Sequence, residues 1–294
     1  MRYLFGVAAA LGVLAASCSG SDGPTASTQP VPATSGRPEP PADPVETPCL
    51  SATPLFATRG TVSVLGGSRP DARKLSGIDW ISTPACERIV LSFLTDQGAP
   101  ASQIGLSRLE FAPEQGILRI SMPRDVDQTG IADVVIEGLL TERAFVVRSR
   151  SGALSIDLHI HTEGPVEARG LIIGSPARLV IDLQSGPEDA AFRSAPPTMS
   201  DDIVVLSPPA GEAPYPLRIR GYARTLADVV TAEVSGAGPD VERRIVAAHS
   251  QDAWGEFAVT ISEGPIGKVS LRVATDRNAA SSTNTGVILS LTTR

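Results

Sequence analysis

Asp157, His159 and His161 stand at alternate positions and form the most metal-like arrangement in the chain. On a strand they would share one face, about 7 Å apart at each step. A His-x-His pair on a strand can bind zinc, with an acidic neighbour as third ligand. Ile156, Leu158 and Ile160 fill the opposite face, so the simpler reading makes the histidine face the solvated one. Residues 125–130 (DVDQTG) imitate the opening of a calcium loop. The twelfth position, which needs a bidentate glutamate, is Ile136, and Glu137 comes one step late. A polar turn is the better account. Residues 264–268 (GPIGK) resemble the end of a phosphate-binding loop, but Ser262 replaces its first glycine and Val269 its magnesium-holding hydroxyl. Besides the His-x-His pair there is only His249, which leaves a serine or cysteine triad few bases. Carboxylate pairs in a β fold leave no sequence signature. No catalytic residue, metal or cofactor is therefore assigned, and the chain is expected not to be an enzyme.

Exposed aromatic rings are the remaining route to a ligand, since they stack on sugars. Trp254 lies among Ser250, Gln251, Asp252 and Gly255, a turn-like setting, and with Tyr215 it is the candidate ligand-binding residue. Trp80 is assigned to a core, where a lone tryptophan in a sandwich most often sits.

The elements that would carry these residues are short strands. From 61 to 183 the chain runs through 88–94 (RIVLSFL), 117–122 (ILRISM), 144–148 (AFVVR), 154–161 (LSIDLHIH), 171–173 and 178–183, each bounded by Gly, Pro, Asp or Ser. Residues 130–140 admit a helical turn or a strand. A polar, proline-bearing break at 184–202 precedes a second series: 203–206, 217–221, 229–234, 244–248, 257–261, 269–273 and 287–292. Seven strands with turns at this spacing fit an immunoglobulin-like sandwich. The antibody-type cysteine pair is missing from it.

The N-terminus reads as an export signal. Arg2 is followed by a short apolar run, residues 4–16, and then by Ala15, Ala16 and Ser17 before Cys18. The run is too short to span a bilayer, which takes about 20 apolar residues. A cysteine after small residues resembles a bacterial lipobox, and that resemblance implies lipidation of Cys18. Acyl chains contribute about 0.8 kcal/mol per buried methylene, and two or more anchor stably. Residues 19–48 are Pro-, Ser- and Thr-rich and read as a disordered tether, about 30 Å long as a coil and about 90 Å extended. Cys49 and Cys86 remain, an even number for an oxidising compartment. A bridge between them would close a loop of about 37 residues, a contribution of about 4 kcal/mol.

Two further resemblances carry the domain reading. Residues 203–211 (IVVLSPPAG), 216–223 (PLRIRGYA), 254–260 (WGEFAVT) and 286–291 (GVILSL) resemble the immunoglobulin-like domain of bacterial spore-germination and related surface lipoproteins. Where that family tends to carry an aromatic-acidic pair, this chain has Thr225, Leu226, Ala227 and Asp228. Residues 86–93 (CERIVLSF) and 174–183 (GSPARLVIDL) resemble an AMIN-like domain, a β-sandwich of envelope proteins. That likeness implies a non-catalytic targeting module, often for peptidoglycan.

Together these readings give an all-β chain with two β-sandwich domains. The expected boundaries are signal 1–17, lipidated cysteine and tether 18–48, AMIN-like domain 49–186, linker 187–201 and immunoglobulin-like sandwich 202–294. The expected role is a non-catalytic lipoprotein on the extracytoplasmic face of the cell membrane, held by its lipid. It would bind peptidoglycan glycan or an envelope protein. A subunit of a germination or envelope-assembly complex is the alternative, and a wall hydrolase the more distant one. The net charge of −7 argues against nucleic acid and against electrostatic attachment to anionic lipid.

Overall fold

A computed structural model describes residue 49 and residues 55–160, 164–174, 176–187, 197–225, 228–248, 252–275 and 286–294. The signal, Cys18, the tether and His161 lie outside them. The chain is all-β: among the described residues the only helical element is a 3₁₀ turn, Pro113–Gln115. Before the second polar break the strands are β1 (Thr61–Val64), β2 (Lys74–Ser82), β3 (Glu87–Leu94), β4 (Ser107–Ala112), β5 (Ile117–Ser121), β6 (Gln128–Thr129), β7 (Asp133–Val135), β8 (Thr141–Arg148), β9 (Leu154–Ile160), β10 (Val166–Ile173) and β11 (Arg178–Ser185). After it come β12 (Thr198–Met199), β13 (Ile203–Ser207), β14 (Gly211–Glu212), β15 (Leu217–Ala223), β16 (Val229–Gly236), β17 (Val241–Val246), β18 (Trp254–Ile261), β19 (Gly267–Thr275) and β20 (Gly286–Thr293). The ambiguous 130–140 stretch resolves as strand β7.

Three sheets hold these strands. One runs β10-β11-β3-β2-β6 and another β14-β20-β19-β16-β17. The third is continuous across both halves of the chain, β1-β4-β5-β9-β8-β18-β15-β13-β12, with β7 beside β8. Period-two alternation explains the N-terminal core. Leu118 and Ile120 of β5, Ala144 and Val146 of β8, and Ile156, Leu158 and Ile160 of β9 point one way. They meet Leu75, Ile89, Leu91, Leu179 and Ile181 of the first sheet. Each such buried side chain contributes about 1.5–3 kcal/mol. The C-terminal core is separate, with Ile219 and Phe257 of the long sheet in the same cluster as Val230, Ala232, Leu271 and Leu289 of the other. Both halves nevertheless belong to one compact unit, Ala42–Arg294.

Gly221 marks a tight point of the C-terminal half. It pairs with Val205 of β13 and with Phe257 of β18. A Cβ there would overlap the Val204 carbonyl and stand 2.8 Å from the Phe257 ring. Gly221→Ala is expected to lower stability by about 1–3 kcal/mol, since a packed sheet cannot absorb the methyl without backbone shift. Urea unfolding of the variant against the wild type measures it.

Candidate functional site

The two halves meet through the outward faces of the long sheet. β8 has β9 along one edge. Its other edge is divided, with β7 opposite Arg143 to Phe145 and β18 opposite Val147 and Arg148. The β8–β18 contact is parallel and only two residues long, Trp254 opposite Val147 and Gly255 opposite Arg148. Side chains strengthen this short seam. Phe145, Val147 and Ile117 from the N-terminal half form one buried cluster with Val204, Leu206, Tyr222 and Trp254 from the C-terminal half. The Phe145 and Trp254 rings meet edge to face, centroids 5.2 Å apart and planes at 87°, the geometry that ring quadrupoles favour.

Charge sits inside this apolar seam, and its centre is Asp157. The residue is fully buried. Arg119 grips it with two bonds, Nε to Oδ1 at 2.8 Å and a terminal nitrogen to Oδ2 at 2.7 Å. The Tyr222 hydroxyl, from the other half, donates to the same carboxylate. The bonds to Asp157 hold the Arg119 guanidinium even more firmly protonated than usual. Burial, with Asp157 alongside, raises the Tyr222 phenol well above its ordinary value. Asp133 makes a second node: Arg143 pairs with it, the Trp254 indole donates to it at 3.1 Å, and Arg224 lies 4.0 Å away.

These placements correct the solvated-face reading of Asp157 and His159. The C-terminal half covers that face, and His159 is 2% exposed. Its ring packs against Phe145, centroids 4.6 Å apart, and neither ring nitrogen has a hydrogen-bond partner among the described residues. Burial lowers its pKa to about 4, with Arg143 adding to the effect and Asp157 opposing it. Asp157 and His159 do not converge as metal ligands, because the carboxylate faces Arg119 and Tyr222. Trp254, chosen as an open platform, is 2% exposed and serves the seam. Tyr215 is partly buried, its hydroxyl donating to the Pro265 carbonyl at 3.2 Å. Asp125 and Asp127 are exposed on a turn, consistent with the polar-turn reading. Trp80 reverses its expectation too, being 37% exposed. It sits opposite Ile89 in the ladder, and among the described residues β6 covers only Lys74 and Leu75 of that side of β2.

A cleft of about 360 Å³ opens at the loop end of the N-terminal sandwich. The β2–β3 turn supplies Pro84 and Ala85, the approach to β8 supplies Leu139 and Leu140, and Pro165 and Val166 come from the start of β10. Glu87 closes its floor, 1% exposed, accepting from the backbone N–H of Leu140 at 2.9 Å and of Thr141 at 3.3 Å. Gly138 makes room for that carboxylate, where any Cβ would collide with it. Cys86, beside the cleft, is bonded to Cys49, their Cα atoms 6.2 Å apart. On the outer face of the same sheet Asp182 takes both Arg88, at 2.6 Å, and Arg169, at 2.8 Å. The Phe56 ring lies over the Arg169 guanidinium at 4.5 Å. Sulfurs of Cys49 and Cys86 and an oxygen of Asp182 form the one metal-like group among the described residues. Its sulfurs are spent on each other.

Sequence reading missed Arg119, Tyr222, Asp133 and Glu87. One signal was available: the run Ala144 to Val147 is apolar on both faces, which marks a strand buried on both sides.

Two changes at the seam have calculable consequences. Unfolded, His159 titrates near 6.5; folded, near 4. The unfolded chain binds the extra proton first, so its contribution is full above pH 6.5 and lost as pH falls toward 4. It amounts to about 3 kcal/mol across that window. In His159→Phe that part of the pH dependence of unfolding should vanish, as urea titrations from pH 7 to 4 would reveal. Tyr222→Phe removes a donor from a buried carboxylate and should cost about 1–3 kcal/mol, read from the same unfolding curves at pH 7.

Compared with family models, with curated proteins and with solved structures, the chain matches none.

Proposed function

We propose that this chain is a non-catalytic lipoprotein of the cell envelope that binds cell-wall glycan through the loop end of its N-terminal half. The observation that carries the reading is Trp80, 37% exposed on a strand whose far edge is, among the described residues, paired only at Lys74 and Leu75. An exposed indole face stacks on sugar rings. The cleft adds apolar walls and a carboxylate floor at the turn that follows β2, and its volume lies in the range of small-ligand sites. The residues that first invited a catalytic or metal reading, Asp157 and His159, are buried at the seam, where a substrate would have to part the halves to reach them. In this reading the lipid on Cys18 holds the chain at the membrane, and the tether lets the glycan-binding end reach the wall.

Sedimentation with purified peptidoglycan tests the binding. The wild-type protein should pellet with it, and Trp80→Ala should lower the bound fraction about tenfold, the loss of one stacked ring. Equal pelleting of wild type and variant, or no enrichment over the tether alone, would reject the glycan reading and favour an envelope protein as partner. For the anchor, Cys18→Ala should move the protein from the membrane fraction to the soluble exported one.

A further inference from the structure

The C-terminal half carries a second groove of opposite chemistry. β15 and β18 pair with Arg218 opposite Thr260 and Arg220 opposite Ala258. Both arginines are exposed on one face, about 7 Å apart along the strand. The partners across the ladder are small, so a groove of about 340 Å³ opens among Arg218, Arg220, Ala258, Val259 and Thr260. Arg150, from the β8–β9 turn, reaches across the seam and donates to the carbonyls of Val246 at 3.0 Å and Ala258 at 3.4 Å. Neutral carbonyls fix that third guanidinium beside the groove without cancelling its charge.

No carboxylate lines this groove, and among the described residues neither Arg218 nor Arg220 has one as partner. Several arginines elsewhere are matched, Arg73 with Asp96, Arg119 with Asp157, Arg148 with Asp252 and Arg272 with Glu233; others, such as Arg108 and Arg178, also lack an acid among the described residues, but they do not line this groove. Glu110 and Glu256 share a smaller adjoining groove with Arg220, and Arg119 engages Glu256 at 3.6 Å. In a chain of 32 acidic and 25 basic residues, three cations gathered at a groove whose own lining holds no acid form a locally positive site. Charges farther than about 8 Å are screened at physiological salt, so the local arginines, not the net charge, set what the groove attracts.

We propose that this groove binds a phosphodiester-linked anionic polymer of the cell envelope, one chain lying along β15 and β18. Guanidinium forks match phosphate oxygens bidentately. An open groove with cations in a row takes successive anionic units of a chain and gains from their repetition. A flat anionic bilayer fits less well, because a plane spans a groove that a single chain can enter.

The test is binding of a fluorescently labelled glycerol-phosphate polymer to the folded protein, followed by anisotropy. The wild type should bind with an affinity that falls as salt rises. Arg218→Ala with Arg220→Ala should weaken binding about tenfold or more, and Arg150→Ala about threefold, by loss of charge-assisted bonds. Arg272→Ala with Arg294→Ala, which removes as many charges elsewhere, should leave it unchanged. Unaltered thermal transitions establish that the variants fold. Equal affinity in the Arg218/Arg220 double variant overturns the proposal. So does binding to phosphatidylglycerol vesicles as tight as to the polymer and lost with the same substitutions, since the surface would then be a membrane contact. The envelope source of the polymer rests on the proposed lipoprotein reading, but the groove is independent of the glycan site: Trp80→Ala should retain polymer binding even where it loses peptidoglycan.

Discussion

The buried carboxylate of Asp157 is the interaction on which the joining of the two halves depends. It lies on β9, takes a two-bond grip from Arg119 of β5, and accepts the Tyr222 hydroxyl from β15 of the other half. Removing one partner from a buried ion pair typically costs 3–5 kcal/mol, because the remaining charge is left in a low-dielectric setting. Only two residues of β8 pair with β18. That short ladder could not hold the two halves at a fixed angle alone. Phe145, Trp254 and their neighbours supply the apolar area, and Asp157 and Asp133 supply direction, since charged hydrogen bonds are satisfied only in one alignment.

Three groups of arginines differ in setting. Arg88 and Arg169 are buried around Asp182 on the outer face of the first sheet, near the disulfide that ties Cys49 to Cys86. Arg119 and Arg143 serve the seam, each with an aspartate. Arg218 and Arg220 remain on an exposed face without an acid among the described residues. The first two groups are explained by folding: the buried cations need a counter-charge, and the half-buried ones neutralise aspartates at the seam. The third is not required by the fold, and so it invites a ligand.

Burial also decides which chemistry is open to the molecule. A histidine with no partner for either nitrogen among the described residues and a pKa near 4 is neutral at ordinary pH, and here it packs as a flat ring beside Phe145. The same residue on a wet face would have titrated freely. Trp80 and Trp254 exchange roles for the same reason: coverage by a neighbouring element, not residue type, makes one a seam residue and the other a surface.

The sequence determined the elements. Alternating apolar residues bounded by Gly, Pro and Asp predict the β3, β5, β9, β11, β13, β15, β16, β19 and β20 strands, since a strand shows its two faces two residues apart. The inward set Ile156, Leu158 and Ile160 followed from that period alone. Only the tertiary structure decided what covers the outward set. Asp157 and His159 look identical in sequence whether water or the C-terminal half lies over them, because the alternation records that a face differs from its opposite, not what it touches. The pairing of β8 with β18 joins residues more than a hundred positions apart, and no local pattern encodes such a contact. Arg119, Tyr222 and Trp254 acquired their roles there, in the seam that the fold creates.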